Sequence, residues 1–449
     1  MKRKIYRVLN FILVLIVVLT FTGCNQPFQK DKRPNFLIIV SDDQRYDTMD
    51  YMPQTQSMIF DQGVTFSNGM VTTSLCCPSR SSILTGMYAH NHNVRQNSDK
   101  LKIKTFMADL HENGYYTGLV GKYLNSWKGQ PLPEYDSWVS YFGGETNYYD
   151  ARLIVNGKYT RYEKEYVTYV LGDYASDFLI KASQQDKPFV LFYTPNAPHA
   201  PTTPAKEDEN LLLDLKPYRP ASFNEPDTSK KPSWWQTRAL LTTDEIAGID
   251  KFRRDQLLTL IALDRAIGKV MTTLKDTGEL DNTVVVYLSD NGMFWGEHRM
   301  TEVKYSYYEE ASRVPFALRY PPLVPKPYTD PHVIGNIDIA PTLYDLAGIP
   351  IPKGVDGLSL VKLLKGEGPW REGILLEGWP GRGNYDAVRT ETYAYAETEG
   401  DVSELYNIQT DPLEINNLVG DPKYQAVVDH HHTLLQQIEE QSPTPTPNP

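Results

Sequence analysis

The sequence predicts an α/β fold: a large, mostly parallel central sheet flanked by helices, with a smaller C-terminal α+β subdomain. Four short runs are apolar nearly throughout, at residues 36–41, 116–121, 189–194 and 284–289. Strands that are buried on both faces have this pattern, as in a parallel sheet covered by helices. Helical patterns alternate with these runs, and the order β–α–β–α is typical of an open α/β sheet.

Helices are predicted where apolar residues recur every three to four positions, over residues 105–113, 167–182, 252–275 and 337–347. Residues 201–244 fit neither a helix nor a strand and are rich in proline. A segment of that length inside a compact domain is usually a functional loop or a disordered one.

The C-terminal part of the chain has a different pattern. After about residue 349 the apolar runs are shorter, at 373–377 and 387–397, and a terminal helix is predicted near 422–441. We therefore predict a first domain over residues 34–348 and a C-terminal subdomain over residues 349–441.

Composition excludes several classes of protein. The chain has 449 residues, of which 41% are hydrophobic and 22% charged, which excludes a disordered, collagen-like or coiled-coil protein. Its formal net charge of −11 argues against nucleic acid as a partner. If the protein acts on an anionic substrate, the positive charge that binds the substrate must be concentrated at the binding site. Three cysteines cannot form a disulfide framework, so each needs its own explanation.

The two ends of the chain are predicted to lie outside the fold. A positively charged start precedes an apolar run at 11–19, which is too short to span a bilayer but suits a signal peptide. The run leads to Cys24, in a sequence similar to a bacterial lipobox, so residues 1–23 are predicted to be a lipoprotein signal peptide. Residues 24–33 are predicted to be a tether and residues 442–449 an unpacked Pro/Thr tail.

This leader predicts an exported bacterial lipoprotein, anchored to the membrane through Cys24 at the cell surface or in the periplasm. Ordinary secretion, with an unmodified cysteine near the cleavage point, is the alternative.

Polar side chains follow each predicted core strand, at the point where the strand ends. Asp42-Asp43, Lys122 and Asp290-Asn291 come directly after three strands, and His199 follows the fourth after a short turn. Ligands of open α/β sheets bind at the carboxyl ends of the strands, so we expect these side chains to converge. Crowded carboxylates with an amide are hard oxygen ligands, which predicts Ca²⁺, or less favourably Mg²⁺, and not zinc.

A second group of residues surrounds Cys76, in the sequence Cys76-Cys77-Pro78-Ser79-Arg80. Pro78 suits the first position of a helix, which predicts that Cys76 lies just before the helix N-terminus. The helix dipole favours an anion or an activated nucleophile there, and Arg80 can face the same point one turn later.

These motifs resemble those of the type I sulfatases, in the alkaline-phosphatase superfamily. The resemblance extends from about residue 34 to about residue 421. It rests on Cys76-x-Pro78-Ser79-Arg80 with Leu84-Thr85-Gly86, Ser41-Asp42-Asp43-Gln44-Arg45, Gly121-Lys122, Ala197-Pro198-His199, Ser289-Asp290-Asn291-Gly292, Gly296-Glu297-His298 with Lys304, Arg313-Val314-Pro315, and Glu404-Leu405-Tyr406-Asn407 with Asp411-Pro412.

The resemblance implies an alkaline-phosphatase-like fold, a catalytic sulfatase domain over 34–348 and hydrolysis of a sulfate ester. It implies that a maturation enzyme oxidises Cys76 to formylglycine, whose hydrated aldehyde is the nucleophile. Ca²⁺ is then held by Asp42, Asp43, Asp290, Asn291 and the oxygen of the modified Cys76. Lys122 and Lys304 neutralise charge on the transferring group, Arg80 holds oxygens of the nucleophile, and His199 protonates the leaving alcohol or binds sulfate.

The substrate class follows from a narrower resemblance. Gly121-Lys122-Tyr123-Leu124-Asn125 and the segment around His90 and His92 are similar to the N-acetylglucosamine-6-sulfatase and heparan 6-O-endosulfatase branch. The implied substrate is a sulfated aminosugar or glycosaminoglycan, on which Trp234 and Trp235 could stack. The chain departs from that branch at Phe294, where a histidine is usual, which leaves His298, His90 or His92 as candidates for the base that completes the reaction.

Two other functions fit the same residues. A phosphonate monoester or phosphodiester hydrolase of the same superfamily also uses a Cys-x-Pro-Ser-Arg nucleophile. A non-catalytic lipoprotein that binds sulfated glycans is expected if Cys76 stays a thiol.

Overall fold

A computed structural model describes residues 31, 33–301, 303–381 and 383–442, so the predicted signal peptide and the tail after Ser442 lie outside it. The strands are β1 (Asn35–Ser41), β2 (Val64–Met70), β3 (Tyr116–Gly121), β4 (Ser137–Ser140), β5 (Ala151–Val155), β6 (Lys158–Tyr162), β7 (Phe189–Thr194), β8 (Thr283–Ser289), β9 (Phe316–Arg319), β10 (Tyr328–Gly335), β11 (Gly373–Gly378), β12 (Tyr385–Thr390), β13 (Tyr393–Thr398) and β14 (Glu404–Asn407).

The described residues also form eleven α-helices. They are α1 (Pro53–Met58), α2 (Cys76–Thr85), α3 (Ala89–His92), α4 (Phe106–Glu112), α5 (Val167–Ser183), α6 (Ser233–Gln236), α7 (Thr243–Asp276), α8 (Glu309–Ser312), α9 (Ile339–Ala347), α10 (Leu360–Leu364) and α11 (Gln425–Gln441). None of them, in the part of the chain that the structure describes, combines the length and apolar character needed to cross a membrane.

The larger sheet confirms the predicted fold class. Its ten strands lie in the order β10-β2-β9-β8-β1-β7-β3-β4-β5-β6. The four predicted core strands are neighbours in the middle of this sheet, where β8, β1, β7 and β3 all run parallel. Their carboxyl ends therefore meet along one edge, as the sequence argument requires.

Helices cover both faces of this sheet, and β1 shows why its sequence does not alternate. Leu37 and Ile39 pack in a core with residues of α5 and α7. Phe36 and Ile38 pack on the opposite face with residues of α2, α4 and α9. Since both faces are buried, every position of the strand is apolar except its ends.

Three element boundaries differ from the prediction. Helix α7 begins at Thr243, nine residues before the predicted start, because a capping box between Thr242 and Glu245 starts it in a polar stretch that hides the apolar period. The predicted run 387–397 is two antiparallel strands, β12 and β13, joined by a tight turn. Cys76 is the first residue of α2 and not the residue before it, so Pro78 lies at the third position.

The smaller sheet is antiparallel, in the order β11-β12-β13-β14. Ile374 and Leu376 of β11 pack in one core with Tyr308 and Ile337, which precede position 348. The predicted boundary between residues 348 and 349 stays a prediction, but the described residues on its two sides share this core.

Candidate active site

The central strands deliver the predicted site residues to one edge of the sheet. Asp42 and Asp43 follow β1, Lys122 follows β3, and Asp290 follows β8. Residues after β7 lead to His199, whose backbone N–H donates to the Asn196 carbonyl in a tight turn. The backbone between these strand ends is also joined, since the Asp290 N–H donates to the Ser41 carbonyl oxygen at 3.0 Å.

Cys76 lies at the N-terminus of α2, opposite these strand ends. Its side chain is buried, and its Sγ lies 2.8 Å from Lys304 Nζ and 3.8 Å from Asp42 Oδ1. The first residue of a helix is next to unpaired backbone N–H groups, where negative charge is stabilised. A nucleophile at position 76 is therefore next to both a cation and a carboxylate.

Arg80 occupies the next turn of α2 and is fully buried. Its Nε donates to Asp290 Oδ2 at 2.7 Å, and Nη1 donates to the Lys122 carbonyl oxygen at 3.0 Å. Burial alone would lower the pKa of Arg80, but Asp290 and Asp42 raise it above its ordinary value, so the guanidinium stays charged. Arg80 thus ties α2 to the ends of β3 and β8.

Asp42 is fully buried and paired with two cations. Its Oδ2 lies 2.7 Å from Lys122 Nζ and 3.5 Å from Arg80 Nη2. Burial would raise the pKa of Asp42, but Lys122, His199 and Arg80 together hold it below its usual range. Asp42 is therefore a carboxylate, with its other oxygen directed to Cys76.

Asp43 has a backbone conformation that few residues other than glycine adopt, with φ of +68°. In this conformation its N–H donates to Asp290 Oδ1 at 3.1 Å, and its carboxylate accepts from Asn291 Nδ2 at 2.7 Å and from Lys304. Burial would raise the pKa of Asp43, but Lys304 and His199 lower it. Strain of this kind persists where surrounding contacts fix a functional geometry.

His199 stands at the rim of the cluster, with 16% of its side chain exposed. Its Nδ1 donates to the Ala200 carbonyl oxygen at 2.6 Å, and its Nε2 lies 3.7 Å from Asp43 Oδ2. Burial would lower its pKa, but Asp42 and Asp43 outweigh burial and raise the pKa of His199 to about 9. His199 therefore carries a proton at Nε2 near neutral pH, facing the site.

The cluster fits a divalent cation. Candidate ligand atoms of Asp42, Asp43, Cys76 and His199 all lie within 4.8 Å of one another. The buried Asn291 Oδ1 has no hydrogen-bond partner among the described atoms, so it is free to bind a cation. Carboxylate and amide oxygens favour Ca²⁺ or Mg²⁺. The chemistry of the predicted ligands thus suits a hard cation, and His199 lies next to this set as a proton carrier and not as a ligand.

His298 is placed in different surroundings from the Cys76 cluster. It is fully buried, its Nδ1 bonds Glu225 Oε2 at 2.6 Å, and its ring packs against Trp235 and Tyr308. Burial and Lys231 lower the pKa of His298 well below the ordinary value. No contact that the structure describes joins His298 to Cys76, so these contacts give it no part in the cluster and its catalytic role stays a prediction.

The other two candidate bases are also held by local contacts. His90 Nδ1 bonds Glu377 Oε2 at 2.8 Å. His92 is buried between α2 and the end of α3, with Nε2 bonded to Ser82 Oγ at 3.1 Å and Nδ1 accepting from the Val94 N–H. Both ring nitrogens of His92 therefore have hydrogen-bond partners, and one of these bonds joins His92 to α2.

The two adjacent tryptophans of the proline-rich segment have different environments. Trp235 is fully buried against Phe294 and Tyr308, so the expectation that it stacks on a sugar is wrong. Trp234 lines an open cleft of about 560 Å³ whose wall includes Lys304 and Arg238. The sequence analysis missed Arg238, which lies two residues beyond the end of α6 and has no motif around it.

Comparison with known proteins identifies the family. The sulfatase family model matches residues 34–349, more than two thirds of the chain. A second model, described as N-sulphoglucosamine sulphohydrolase, C-terminal, matches residues 296–441.

Individual relatives agree with these models. The chain is 31% identical to the human N-acetylglucosamine-6-sulfatase, over 94% of this chain and 88% of that protein. It is also 31% identical to an extracellular sulfatase Sulf-1 homolog of Caenorhabditis elegans, over 83% of this chain but only 56% of that longer protein.

Among solved structures, one described as a complex with its substrate D-glucosamine-2-N,6-O-disulfate is similar with a TM-score of 0.82 and 26% identity. The match covers 91% of this chain and 98% of that chain. The resemblance seen in the motifs is confirmed over nearly the whole fold, and the chain belongs to the sulfatase family of sulfuric ester hydrolases.

Proposed function

We propose that this protein removes a 6-O-sulfate group from a glucosamine-type sugar, using a formylglycine made from Cys76 and a bound Ca²⁺ ion. The observation that carries the proposal is the position of Cys76, between Lys304 and Asp42 at the helix terminus. The names of the similar proteins support the substrate class, since they include an N-acetylglucosamine-6-sulfatase and a complex with a glucosamine 2-N,6-O-disulfate.

The modified residue would supply a hydrated aldehyde, with one hydroxyl to attack sulfur and a second whose deprotonation allows sulfate to leave. Asp42 Oδ1 is the carboxylate oxygen that approaches position 76, which suits it to accept the proton of the attacking hydroxyl. Lys304 Nζ also contacts the side-chain atom of residue 76, where it can bind the transferring sulfate group.

Asp42, Asp43, Asp290 and Asn291 would hold the Ca²⁺ ion, which when bound lowers the pKa of the nucleophile and binds a sulfate oxygen. Arg80 and Lys122 sit behind these carboxylates and keep them ionised and oriented. The unsatisfied Asn291 Oδ1 supports its place in this set.

His199 supplies the proton for the leaving group. As the sulfur–oxygen bond to the sugar breaks, the departing oxygen takes the proton that His199 holds at Nε2. Its Nδ1 bond to Ala200 fixes the ring so that Nε2 faces the site. The deprotonated Nε2 would then take back a proton from the second hydroxyl as sulfate leaves and the aldehyde re-forms. Addition of one water restores the hydrated aldehyde and Asp42 releases its proton to solvent, so the net reaction is hydrolysis.

The experiment is sulfate release from N-acetyl-D-glucosamine-6-O-sulfate by the protein purified from a host with the maturation enzyme. We expect turnover with the wild type and none with Cys76→Ala. A parallel assay on a phosphodiester tests the alternative hydrolase. Turnover of the phosphodiester without sulfate release would overturn the proposal.

We also propose that the protein is exported and anchored through a lipid on Cys24. Support comes from the positive start, the apolar run and the cysteine that ends it. Metabolic labelling with a fatty acid is expected to mark the wild type but not Cys24→Ala. A Cys24→Ala chain that still partitions with membranes would contradict the anchor.

A further inference from the structure

The cleft beside Lys304 contains a cation, Arg238, that pairs with no carboxylate of the described residues. Arg238 lines this cleft with Trp234, Tyr305 and Pro380. No carboxylate among the described residues forms an ion pair with its guanidinium, and its buried Nε has no hydrogen-bond partner. Burial lowers the pKa of Arg238. Partial burial of a guanidinium group without a hydrogen-bond partner is unfavourable unless an anion binds it.

The arginine is held in place by the backbone around it and by an aromatic ring. Its Cζ lies 5.6 Å from the centroid of the Trp234 ring, and its carbonyl oxygen accepts from Arg299 Nη1 at 2.7 Å. The same Arg299 side chain donates to the carbonyl oxygens of Glu225 and Pro226. Arg299 therefore fixes both ends of the segment that carries Trp234 and Arg238.

Trp234, like Arg238, has a buried N–H group without a hydrogen-bond partner among the described residues. Its Nε1 is buried and, within the described structure, has no acceptor. Its ring lies against Trp235, which is fixed in the core, with ring centroids 4.2 Å apart. A fixed aromatic ring beside a half-buried arginine in an open cleft is a suitable surface for a sugar with a negatively charged substituent.

Tyr305, another residue of the cleft lining, is also held in place. The Tyr305 hydroxyl donates to the Arg95 carbonyl oxygen and accepts from the Trp379 N–H at 2.9 Å. The exposed Arg95 guanidinium stacks on the Trp379 ring, with its Cζ 4.5 Å from the centroid. Among the described residues, the cations that line the cleft are Arg238 and Lys304, and the nearby Arg95 contacts Tyr305 through its backbone carbonyl.

We propose that Arg238 and Trp234 form a subsite for a second anionic group of the substrate, next to the sulfate that is hydrolysed. Lys304 belongs to both places, since it lines the cleft and contacts Cys76 Sγ. The enzyme therefore selects sugars with two negative charges over sugars with one. This inference rests on the proposed function for its choice of a sulfated aminosugar.

The second anion can be an N-sulfate on the same sugar or the carboxylate of a neighbouring uronate. Three probes separate these sources: N-acetyl-D-glucosamine-6-O-sulfate, D-glucosamine-2-N,6-O-disulfate, and a disaccharide that joins a uronate to N-acetylglucosamine-6-sulfate. We expect Arg238→Gln to lower the ratio of kcat/KM for a dianionic probe over the first probe by about tenfold to a hundredfold, the value of a charge-assisted hydrogen bond. The probe that responds identifies the source.

Two further variants control this experiment. Arg238→Lys keeps the charge and is expected to recover part of the ratio. Arg219→Gln is the matched control, because Arg219 also stacks on an aromatic ring but already pairs with Asp250. An Arg238→Gln ratio equal to that of the wild type with both dianionic probes would overturn the inference.

Calorimetric binding to the chain with unmodified Cys76 separates this inference from the proposed function. Tighter binding of a dianionic probe that depends on Arg238 supports the subsite even if the protein releases no sulfate from any probe. Hydrolysis of N-acetyl-D-glucosamine-6-O-sulfate with no effect of Arg238 on binding or selectivity overturns the subsite and leaves the proposed function intact.

Discussion

Asn291 offers a direct test of the cation at the residue scale. Its amide nitrogen donates to Asp43 and to the Gly292 carbonyl, whereas its buried oxygen has no partner in the described structure. Because that oxygen is free for a cation, Asn291→Ala is expected to weaken Ca²⁺ binding about tenfold or more, in line with a lost ligand. The measurement is the rise in Tm with Ca²⁺ concentration.

Asn291→Asp serves as the control for this prediction, since it keeps an oxygen at the same place. The Ca²⁺-dependent rise in Tm should persist in Asn291→Asp and shrink in Asn291→Ala. An equal rise in Asn291→Ala and the wild type would show that this oxygen does not bind the ion.

Sequence reasoning at the residue scale succeeds where topology fixes the position of a side chain. Asp42, Lys122 and Asp290 could be brought together because each directly follows a strand of the parallel sheet. Arg238 could not be found this way, since loop contacts such as the Arg299 hydrogen bond decide where it lies. The motif alone suggested a catalytic role for His298. In the structure its side chain is buried and bonded to Glu225, which is distant in the sequence.

At the element scale, the close pairing of β3 and β7 sets the position of Lys122. Gly121 ends β3 with φ of +115°, and a Cβ there would lie 2.0 Å from the Thr194 carbonyl oxygen. Gly121→Ala must therefore push the strands apart and is expected to cost at least about 2 kcal/mol of unfolding free energy. Denaturant unfolding measures this cost, and sulfate release should fall with it.

Gly129→Ala is the matched control for the strand pairing, because an added Cβ at Gly129 meets no atom within 4 Å. We expect its stability to lie within about 0.5 kcal/mol of the wild type. Equal stability of the Gly121 and Gly129 variants would contradict the role of this close approach.

The contact between α2 and α3 should make stability depend on pH. Burial, with a smaller effect of His90, lowers the pKa of His92 to about 3. The unfolded chain therefore binds this proton more readily than the folded chain. The contribution of His92 is complete above about pH 6.5 and is lost, by about 1.4 kcal/mol per pH unit, as the pH falls toward 3.

His92→Gln removes this titration and is expected to flatten the loss of Tm between pH 6.5 and pH 4. His111→Gln is the control, because His111 is partly exposed at the end of α4. The idea fails if His92→Gln and the wild type lose Tm in parallel over this range.

The elements that could be predicted are those with a long, unbroken apolar run or a clear helical period. The four core strands could be located from unbroken apolar runs because helices cover both faces. The start of α7 could not, since a capping box and not an apolar period defines it. The strands β4, β5 and β6 at the sheet edge were also missed; β6 is short and half-exposed, so its sequence carries a weak pattern.

At the scale of the whole molecule, the small sheet completes the core of the catalytic part. Tyr308 and Ile337 pack with Ile374, and buried Arg389 pairs with buried Glu309 at 2.7 Å. A chain that ends at residue 348 would expose this core and leave Glu309 without that partner. We expect it to aggregate or to unfold without cooperativity, because one lost partner of a buried pair alone costs about 3–5 kcal/mol.

Calorimetry of the truncated chain tests this dependence, with a chain that ends at Ser442 as the control. That control keeps the hydrogen bonds of Ser442 to Asn91 and Asp356. A soluble 34–348 chain with a sharp unfolding transition would show that the catalytic part folds by itself.

The mass of one tryptic peptide tests the central claim most directly. Arg45 and Arg80 are consecutive trypsin sites, so the peptide spans residues 46–80 and contains Cys76. In protein purified from its native host, we expect the side chain of residue 76 to have lost sulfur and gained an aldehyde oxygen. An unmodified thiol at this position in a preparation that releases sulfate would contradict the proposed mechanism.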